Sequence, residues 1–316
     1  MARTRRLCLL LGSFLAAAAA LGPMRSIASH SSIEPAAAPP VARQVVPLAA
    51  KDSVPTDVRY LVRPGDNLYA IARRFGTTST ALAALNNLPN KNAIRAGKEL
   101  LILAVGPAPA PPPAPAAAAV ISQGPPIPLV ALSFDAGSDV GYTSLILDVL
   151  NANGITASFG MTAAWANQNP AMLRRIVDEG HHLINHSFNH PDFRSLTTAQ
   201  RWDQLDRTEA AVIAITGIGM KPYFRPPFGG RNAAVDADLA ARGYYYELMW
   251  TVDSLGWMGL SAPDIVSRCL SRAVPGAIFL YHVGIQSLDG PALQAMIDGF
   301  RARGYAIGSV ADVLGH

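Results

Sequence analysis

The chain has 316 residues, half of them apolar, with a formal charge of +4 and an isoelectric point near 9.2. That is room for one domain of ordinary size plus a small one. The positive charge is not gathered into a Lys/Arg-rich run with interleaved aromatics, which argues against a nucleic-acid partner.

In chain order, Arg3, Arg5 and Arg6 precede an apolar run, 7–21, too short for a comfortable membrane span, and Ser26-Ile27-Ala28 is a small-x-small cleavage site. Residues 1–28 therefore read as a signal peptide, with an uncleaved anchor as the alternative. Cleavage would discard Cys8 and leave Cys269 alone, so no intramolecular disulfide is expected and Cys269 reads as a buried structural residue. Residues 29–57, rich in Ala, Pro and Ser without periodicity, read as a disordered spacer. A compact patterned unit follows over 58–104. It carries Arg59, Arg63, Arg73, Arg74, Lys91, Arg95 and Lys98 against Asp66 and Glu99, a basic balance suited to an anionic polymer or simply to a solvated face. Residues 105–128 form a Pro/Ala-rich, extended linker.

From 129 to 316 the pattern alternates strands and helices. Strands are predicted at 129–134, 157–160, 182–185, 223–225, 247–252, 277–281 and 306–309. Helices are predicted at 144–153, 170–179, 199–216, 233–242, 263–273 and 291–303. Repeated βα units predict a parallel sheet or barrel with helices outside, whose chemistry lies at the strand C-termini. Asp135, His186, Arg225, Asp253 and His282 all fall at or just after predicted strand ends. His186 and His190 are four residues apart, so on a helical turn both imidazoles would share a face and could reach one metal ion. Each residue also has a plain reading: Asp135 as a helix N-cap, Arg225 with Asp253 as a structural ion pair, Trp257 as core, His282 as a hydrogen-bonded core histidine.

Ser133-Phe134-Asp135-Ala136-Gly137, His186-Ser187-Phe188-Asn189-His190, Arg225-Pro226-Pro227-Phe228-Gly229, Asp253-Ser254-Leu255-Gly256-Trp257 and Leu280-Tyr281-His282 together resemble the five motifs of the polysaccharide deacetylases, the NodB-homology or carbohydrate esterase family 4 proteins. The resemblance spans 129–316. It implies an α/β fold, a distorted (β/α) barrel often short of eight strands. It implies hydrolysis of the N-acetyl group of an amino sugar on a divalent metal: zinc, with cobalt or manganese as alternatives. By the same resemblance His186 and His190 are metal ligands, Asp135 the general base and His282 the general acid. Arg225 pairs with Asp135, Asp253 holds Arg225, the backbone N–H of Phe228 stabilises the oxyanion, and Trp257 and Leu280 line the pocket for the acetyl methyl. The usual third ligand, the second acid of the first motif, is Ala136 here. Three outcomes are open: Asp139 substitutes, Asp135 itself ligates, or metal binding is weak.

The small unit resembles a LysM domain, a βααβ module that binds N-acetylglucosamine-containing glycans. Tyr60 to Gly76 resembles its first strand, turn and helix, 80–87 its second helix and 94–102 its closing turn and strand. By position, Gly65, Asp66, Asn67, Leu68, Asn92, Ala93 and Ile94 would line the glycan groove, and Asp66 would cap the first helix. Taken together, signal, module and barrel imply an exported, monomeric bacterial cell-envelope enzyme acting on peptidoglycan or chitin-like glycans, with no integral membrane domain after cleavage. The rival reading is a non-catalytic glycan-binding protein with a degenerate barrel.

Overall fold

The computed structural model describes residues 56–89, 94–104 and 114–316. The expected leader, nearly all of the spacer, Asn92, Ala93 and the first nine residues of the linker lie outside them.

The small domain pairs β1 (Thr56–Leu61) antiparallel with β2 (Glu99–Ala104), and α1 (Leu68–Arg74) and α2 (Ser79–Leu85) lie between them in sequence. Its core is Val62, Leu68, Ile71, Ala72, Leu82, Ile94, Leu100 and Ile102. Two expectations change here. Leu68 and Ile94 are 2% exposed core residues, not groove lining. Asn67, not Asp66, caps α1 by accepting the Ala70 N–H at 2.8 Å, while Asp66 accepts from the Tyr60 hydroxyl and the Arg63 N–H.

The larger domain begins earlier than the composition implies. The second half of the expected linker contains β3 (Ala119–Ile121), which joins the sheet beside β8 (Tyr246–Leu248). The barrel strands are β4 (Leu129–Ala136), β5 (Ser158–Met161), β6 (His182–Asn185), β7 (Tyr223–Phe224), β8, β9 (Val252–Asp253) and β10 (Ile278–His282). They are parallel and run in chain order from β4 to β8, then from β9 through β10 back to β4, while β11 (Ala306–Gly308) pairs the start of β4. The described residues form no ladder between β8 and β9. Instead Ile121 O accepts the Met249 N–H, and Ser122 O accepts the Thr251 hydroxyl, across that seam. This is the distorted (β/α) barrel expected. Around it stand α3 (Thr143–Ala152), α4 (Ala163–Gln168), α5 (Pro170–Asp178), α6 (Thr198–Thr216), α7 (Ala233–Ala241), α8 (Ala262–Ser271), α9 (Asp289–Ala302) and α10 (Val310–Leu314). Among the described residues no helix is long and apolar enough to cross a membrane.

Period-two alternation sorts the strands into two faces. Val130, Leu132, Phe134 and Ala136 of β4 join Phe279, Tyr281 and Val283 in the core beneath the helices. Ala131 instead joins Ile184, Tyr223, Leu248 and Ile278 on the other face, with Val310 and Val313 of α10. Residues of that second parity, continued to the strand C-termini, are Ser133, Asp135, His186, Arg225, Asp253, Leu280 and His282. The fold thus collects the motif residues on one face at one end.

At the opposite end, His181 is 3% exposed and its Nδ1 accepts the Ala157 N–H at 3.1 Å. Burial, helped by the Arg175 charge, holds this imidazole down to about 4. The unfolded chain, with a histidine near 6.5, binds the proton first, so stability is full above pH 6.5 and falls as the pH drops toward 4. The loss should approach ~3 kcal/mol. Urea titrations at pH 7 and pH 4.5 should show it, and His181→Gln should flatten that part of the dependence.

Candidate active site

Arg225 follows β7 and is wholly buried. Its Nη1 donates to Asp135 Oδ1 at 2.8 Å, Nη2 to Ser133 Oγ at 2.8 Å and Nε to Leu248 O at 3.2 Å. Ser133 Oγ in turn donates to Phe279 O at 2.6 Å. One guanidinium therefore ties β7, β4 and β8 together. Asp135, 6% exposed, has a carboxyl that burial pushes up most strongly; the Arg225 charge and hydrogen bond lead the interactions that outweigh that and hold it below the usual carboxylate range. Across the ladder from Asp135 lies Gly160, where a Cβ would stand 2.3 Å from Asp135 Oδ1. Only glycine leaves the carboxylate its place there.

The expected Asp253–Arg225 pair does not form. Asp253 Oδ1 accepts the Leu255 N–H at 2.9 Å and Oδ2 the Trp257 indole N–H at 3.2 Å. The guanidinium edges are filled by Asp135, Ser133 and Leu248, and Asp253 orients the half-exposed Trp257 over the cavity instead.

His186 and His190 meet, though not on a helix. They lie in a loop after β6 in which Ser187 has φ 71° and His190 φ 63°, and their ring centroids are 4.8 Å apart. Two left-handed residues fold the loop back, and the surroundings hold it: Asn185 Oδ1 accepts the Ser187 N–H, and Gln204 Oε1 of α6 accepts the N–H groups of Phe188 and Asn189. Burial lowers both imidazoles, His190 to about 4, so both are neutral at pH 7. His186 Nδ1 lies 2.8 Å from Arg225 O. A carbonyl only accepts, so Nδ1 carries the proton and Nε2 presents its lone pair. That lone pair faces Asp135 Oδ2 at 3.4 Å. Two electron-rich atoms that face one another are donors that would suit a cation between them.

Asp139 is not brought to this pair. Its Oδ1 accepts the Ile285 N–H at 2.9 Å and its carbonyl accepts the Trp165 indole N–H, so it ties the β4 loop to the β10 loop. Ala136 is fully buried on the helix-side face. Among the described residues no three or more His, Cys, Asp or Glu side chains form a ready metal cage. The nearest approach to one is the pair of His186 Nε2 and Asp135 Oδ2, with the His190 ring beside it.

His282 ends β10 opposite Asp135 in the ladder; its backbone N–H donates to Asp289 Oδ2, and its Nδ1 is buried without a hydrogen-bond partner among the described residues. Phe228, 70% exposed with φ 58° and ψ 11°, sets its ring 4.5 Å from that of His190. The cavity these residues line is about 490 Å³ and includes Leu280, Trp257, Trp250, Ser138 and Gln286. Ser133, Gly160 and Gln204 were not singled out in the sequence. Strand alternation from Asp135 points to Ser133; the other two act through neighbours that only the fold supplies.

The chain matches the polysaccharide deacetylase family over residues 122–246 and the LysM domain over 60–103. It is 32% identical over 188 residues to the peptidoglycan-N-acetylmuramic acid deacetylase PdaA of Bacillus subtilis, covering 58% of this chain and 71% of that protein. It is also 32% identical over 169 residues to a peptidoglycan-N-acetylglucosamine deacetylase of Bacillus cereus, covering 54% and 59%. Against two of the curated relatives the chain thus spans only 58–59% of their length. The crystal structure of PdaA, a family 4 carbohydrate esterase, superposes with a TM-score of 0.57 at 30% identity, covering 62% of this chain and 84% of that one. A family 4 pseudoenzyme from Bacillus anthracis superposes at 0.59 with 28% identity, covering 62% and 69%, and a mutant of it is described as having restored enzymatic activity.

Removing Arg225 would leave the Asp135 carboxylate buried and uncompensated. Arg225→Met should cost about 3–5 kcal/mol in urea unfolding. Arg225→Lys should recover only part, since an ammonium cannot span Asp135, Ser133 and Leu248 at once.

Proposed function

The chain belongs to the polysaccharide deacetylase family, the family 4 carbohydrate esterases, and we propose that it is an exported, metal-dependent N-deacetylase of glycan amino sugars, with peptidoglycan the favoured substrate and chitin-like glycans next. The observation that carries this reading is the convergence of Asp135, His186, His190 and His282 on one cavity walled by Trp257, Trp250, Phe228 and Leu280, with Arg225 buried behind Asp135 and bonded to it. Its volume of about 490 Å³ admits a saccharide unit.

His186, His190 and Asp135 Oδ2 would hold a divalent ion, zinc first and cobalt or manganese as alternatives. When bound, such an ion supplies the positive charge that makes water acidic near neutral pH and polarises an acyl oxygen. Asp135 accepts the proton of the attacking water, and the water oxygen bonds to the acetyl carbon. The Phe228 N–H faces the developing oxyanion. The C–N bond then breaks, His282 gives the leaving nitrogen its proton, and acetate and a free amine result. Arg225 keeps Asp135 ionised and fixed. Trp257, oriented by Asp253, and Leu280 shelter the acetyl methyl from water. One carboxylate serves both as proton acceptor and as the oxygen donor that Ala136 cannot be. Its lowered pKa makes it a weak base, so turnover should be slow beside a site that divides these duties. The small domain would hold the enzyme on N-acetylglucosamine-containing glycan, raising its concentration near substrate.

Ala136, together with the likeness to a pseudoenzyme, favours a second reading: a glycan-binding protein with a degenerate barrel. Acetate release from purified peptidoglycan decides between them. Release that a chelator abolishes and zinc or cobalt restores is the expected result. No release with zinc, cobalt or manganese would establish the second reading.

Ligand assignment has its own test by calorimetric zinc titration. Asp135→Asn should weaken zinc binding by a factor of 10–100 or more, while Asp139→Ala should leave it unchanged because that carboxylate serves the Ile285 N–H. Loss of binding on Asp139→Ala would overturn the assignment.

A further inference from the structure

The turn of the small domain that its family resemblance assigns to glycan is packed against the base of the barrel. Gly65 N–H donates to Gly217 O at 3.2 Å, and a Cβ on Gly65 would stand 3.0 Å from Ile213 Cδ1. Asn67 Nδ2 donates to Lys221 O, and the Tyr69 and Tyr246 hydroxyls are 2.8 Å apart. The Tyr69 ring lies 4.4 Å from the ring of the C-terminal His316, and Arg95 pairs with Asp178. On the barrel side these partners are the end of α6, the approach to β7, the start of β8 and the end of α5. All lie at the strand N-termini, opposite the cavity that holds Asp135 and His282.

We propose that the small domain has one binding face for two occupants, the barrel base of its own chain and an N-acetylamino-sugar glycan, so that docking and glycan capture exclude each other. The inference rests on the reading of the small domain as a glycan-binding module. Gly65 and Asn67, two of the polar positions a saccharide would need, have their hydrogen bonds directed to Gly217 and Lys221 in the docked form. The contact mixes these polar bonds with the packing of Tyr69 among the rings of Tyr223, Tyr246 and His316, and contacts between domains of one chain commonly open. Because both domains belong to one chain, the barrel base is always present at a high effective concentration. A glycan must therefore compete with the barrel, and its apparent affinity falls by the fraction of chains that are docked. The catalytic cavity lies at the other end and stays open in both forms, so docking governs retention on insoluble wall material and not turnover of a small soluble substrate.

The test uses the full chain carrying Cys8→Ser, Arg95→Cys and Asp178→Cys, joined by a short bis-maleimide or, as the control, capped singly with N-ethylmaleimide; Cys269 is buried and does not compete. A second variant, Asp178→Arg with Tyr246→Phe, loosens the dock from the barrel side and leaves the small domain's surface unchanged. Retention on insoluble peptidoglycan and on chitin is measured, with acetate release from a soluble chitin oligomer alongside. The bridged protein should lose retention, the capped protein should keep it, and the loosened variant should bind roughly five- to tenfold tighter, as the loss of one hydrogen bond and one surface ion pair from the docked form allows. Acetate release should be the same in all three. Bridged protein retained as tightly as capped protein would overturn the proposal, as would a change in soluble turnover on bridging. Failure of every form to be retained, the loosened variant included, would instead overturn the glycan-binding reading on which the proposal stands.

Discussion

The Arg225–Asp135 ion pair is the constraint on which the rest of the site depends. Both partners are taken from water, and an ion pair so buried seldom stabilises a fold by itself because desolvation offsets the attraction. What it provides is placement. Arg225 has three acceptors on two other strands, Asp135 Oδ1 and Ser133 Oγ on β4 and Leu248 O on β8, and its own carbonyl receives the His186 Nδ1–H. A single residue thereby fixes the carboxylate, keeps it ionised, and selects the imidazole tautomer that leaves Nε2 facing Asp135 Oδ2. The electron-rich gap between those atoms is a consequence of Arg225's position.

Around this rigid centre the loops carry the unfavourable backbone. Among the described residues the non-glycine positions with positive φ are Asn87, Ser187, His190, Phe228 and Leu255, and all but Asn87 belong to motif loops at the mouth. Conformations of this kind persist only where their surroundings determine them. Gln204 and Asn185 do so for the histidine loop, and Asp253, bonded to Leu255 and Trp257, does so for the loop after β9. Asp253 is thus better understood as a loop organiser than as a partner of Arg225.

Much of this was legible in the sequence because it depends on period. βα repetition predicted both the barrel and its functional end and put Asp135, His186, Arg225, Asp253 and His282 at strand ends; the alternation of the strands explains why those residues also share one face. Nearly every predicted strand and helix is present to within two residues. What sequence could not supply depends on contacts between distant segments. The 247–252 run divides at Trp250, where Ile121 and Ser122 bridge the seam between β8 and β9. The spacing of His186 and His190 suggested a helix, yet tertiary bonds to Gln204 impose a left-handed loop. Asp139 looked like a spare ligand because it stands four residues from Asp135, and spacing says nothing of the Ile285 N–H that claims it. The composition of 114–128 marked it as linker, though pairing with β8 makes part of it a strand.

Ala136 is informative for the same geometric reason. It is one residue beyond Asp135 on an extended strand, so its side chain turns to the opposite face and packs with Phe134 and Tyr281 beneath the helices. With alanine there the position stays in that core, and the carboxylate that faces His186 is that of Asp135. In the reading proposed above, one acid then does two jobs. Those jobs oppose each other: the field of Arg225 that keeps the carboxylate ionised, and fit to attract a cation, also makes it a poorer proton acceptor. A chain of this kind can keep the architecture of a hydrolase while its rate is set by how far one side chain can serve both ends of that compromise.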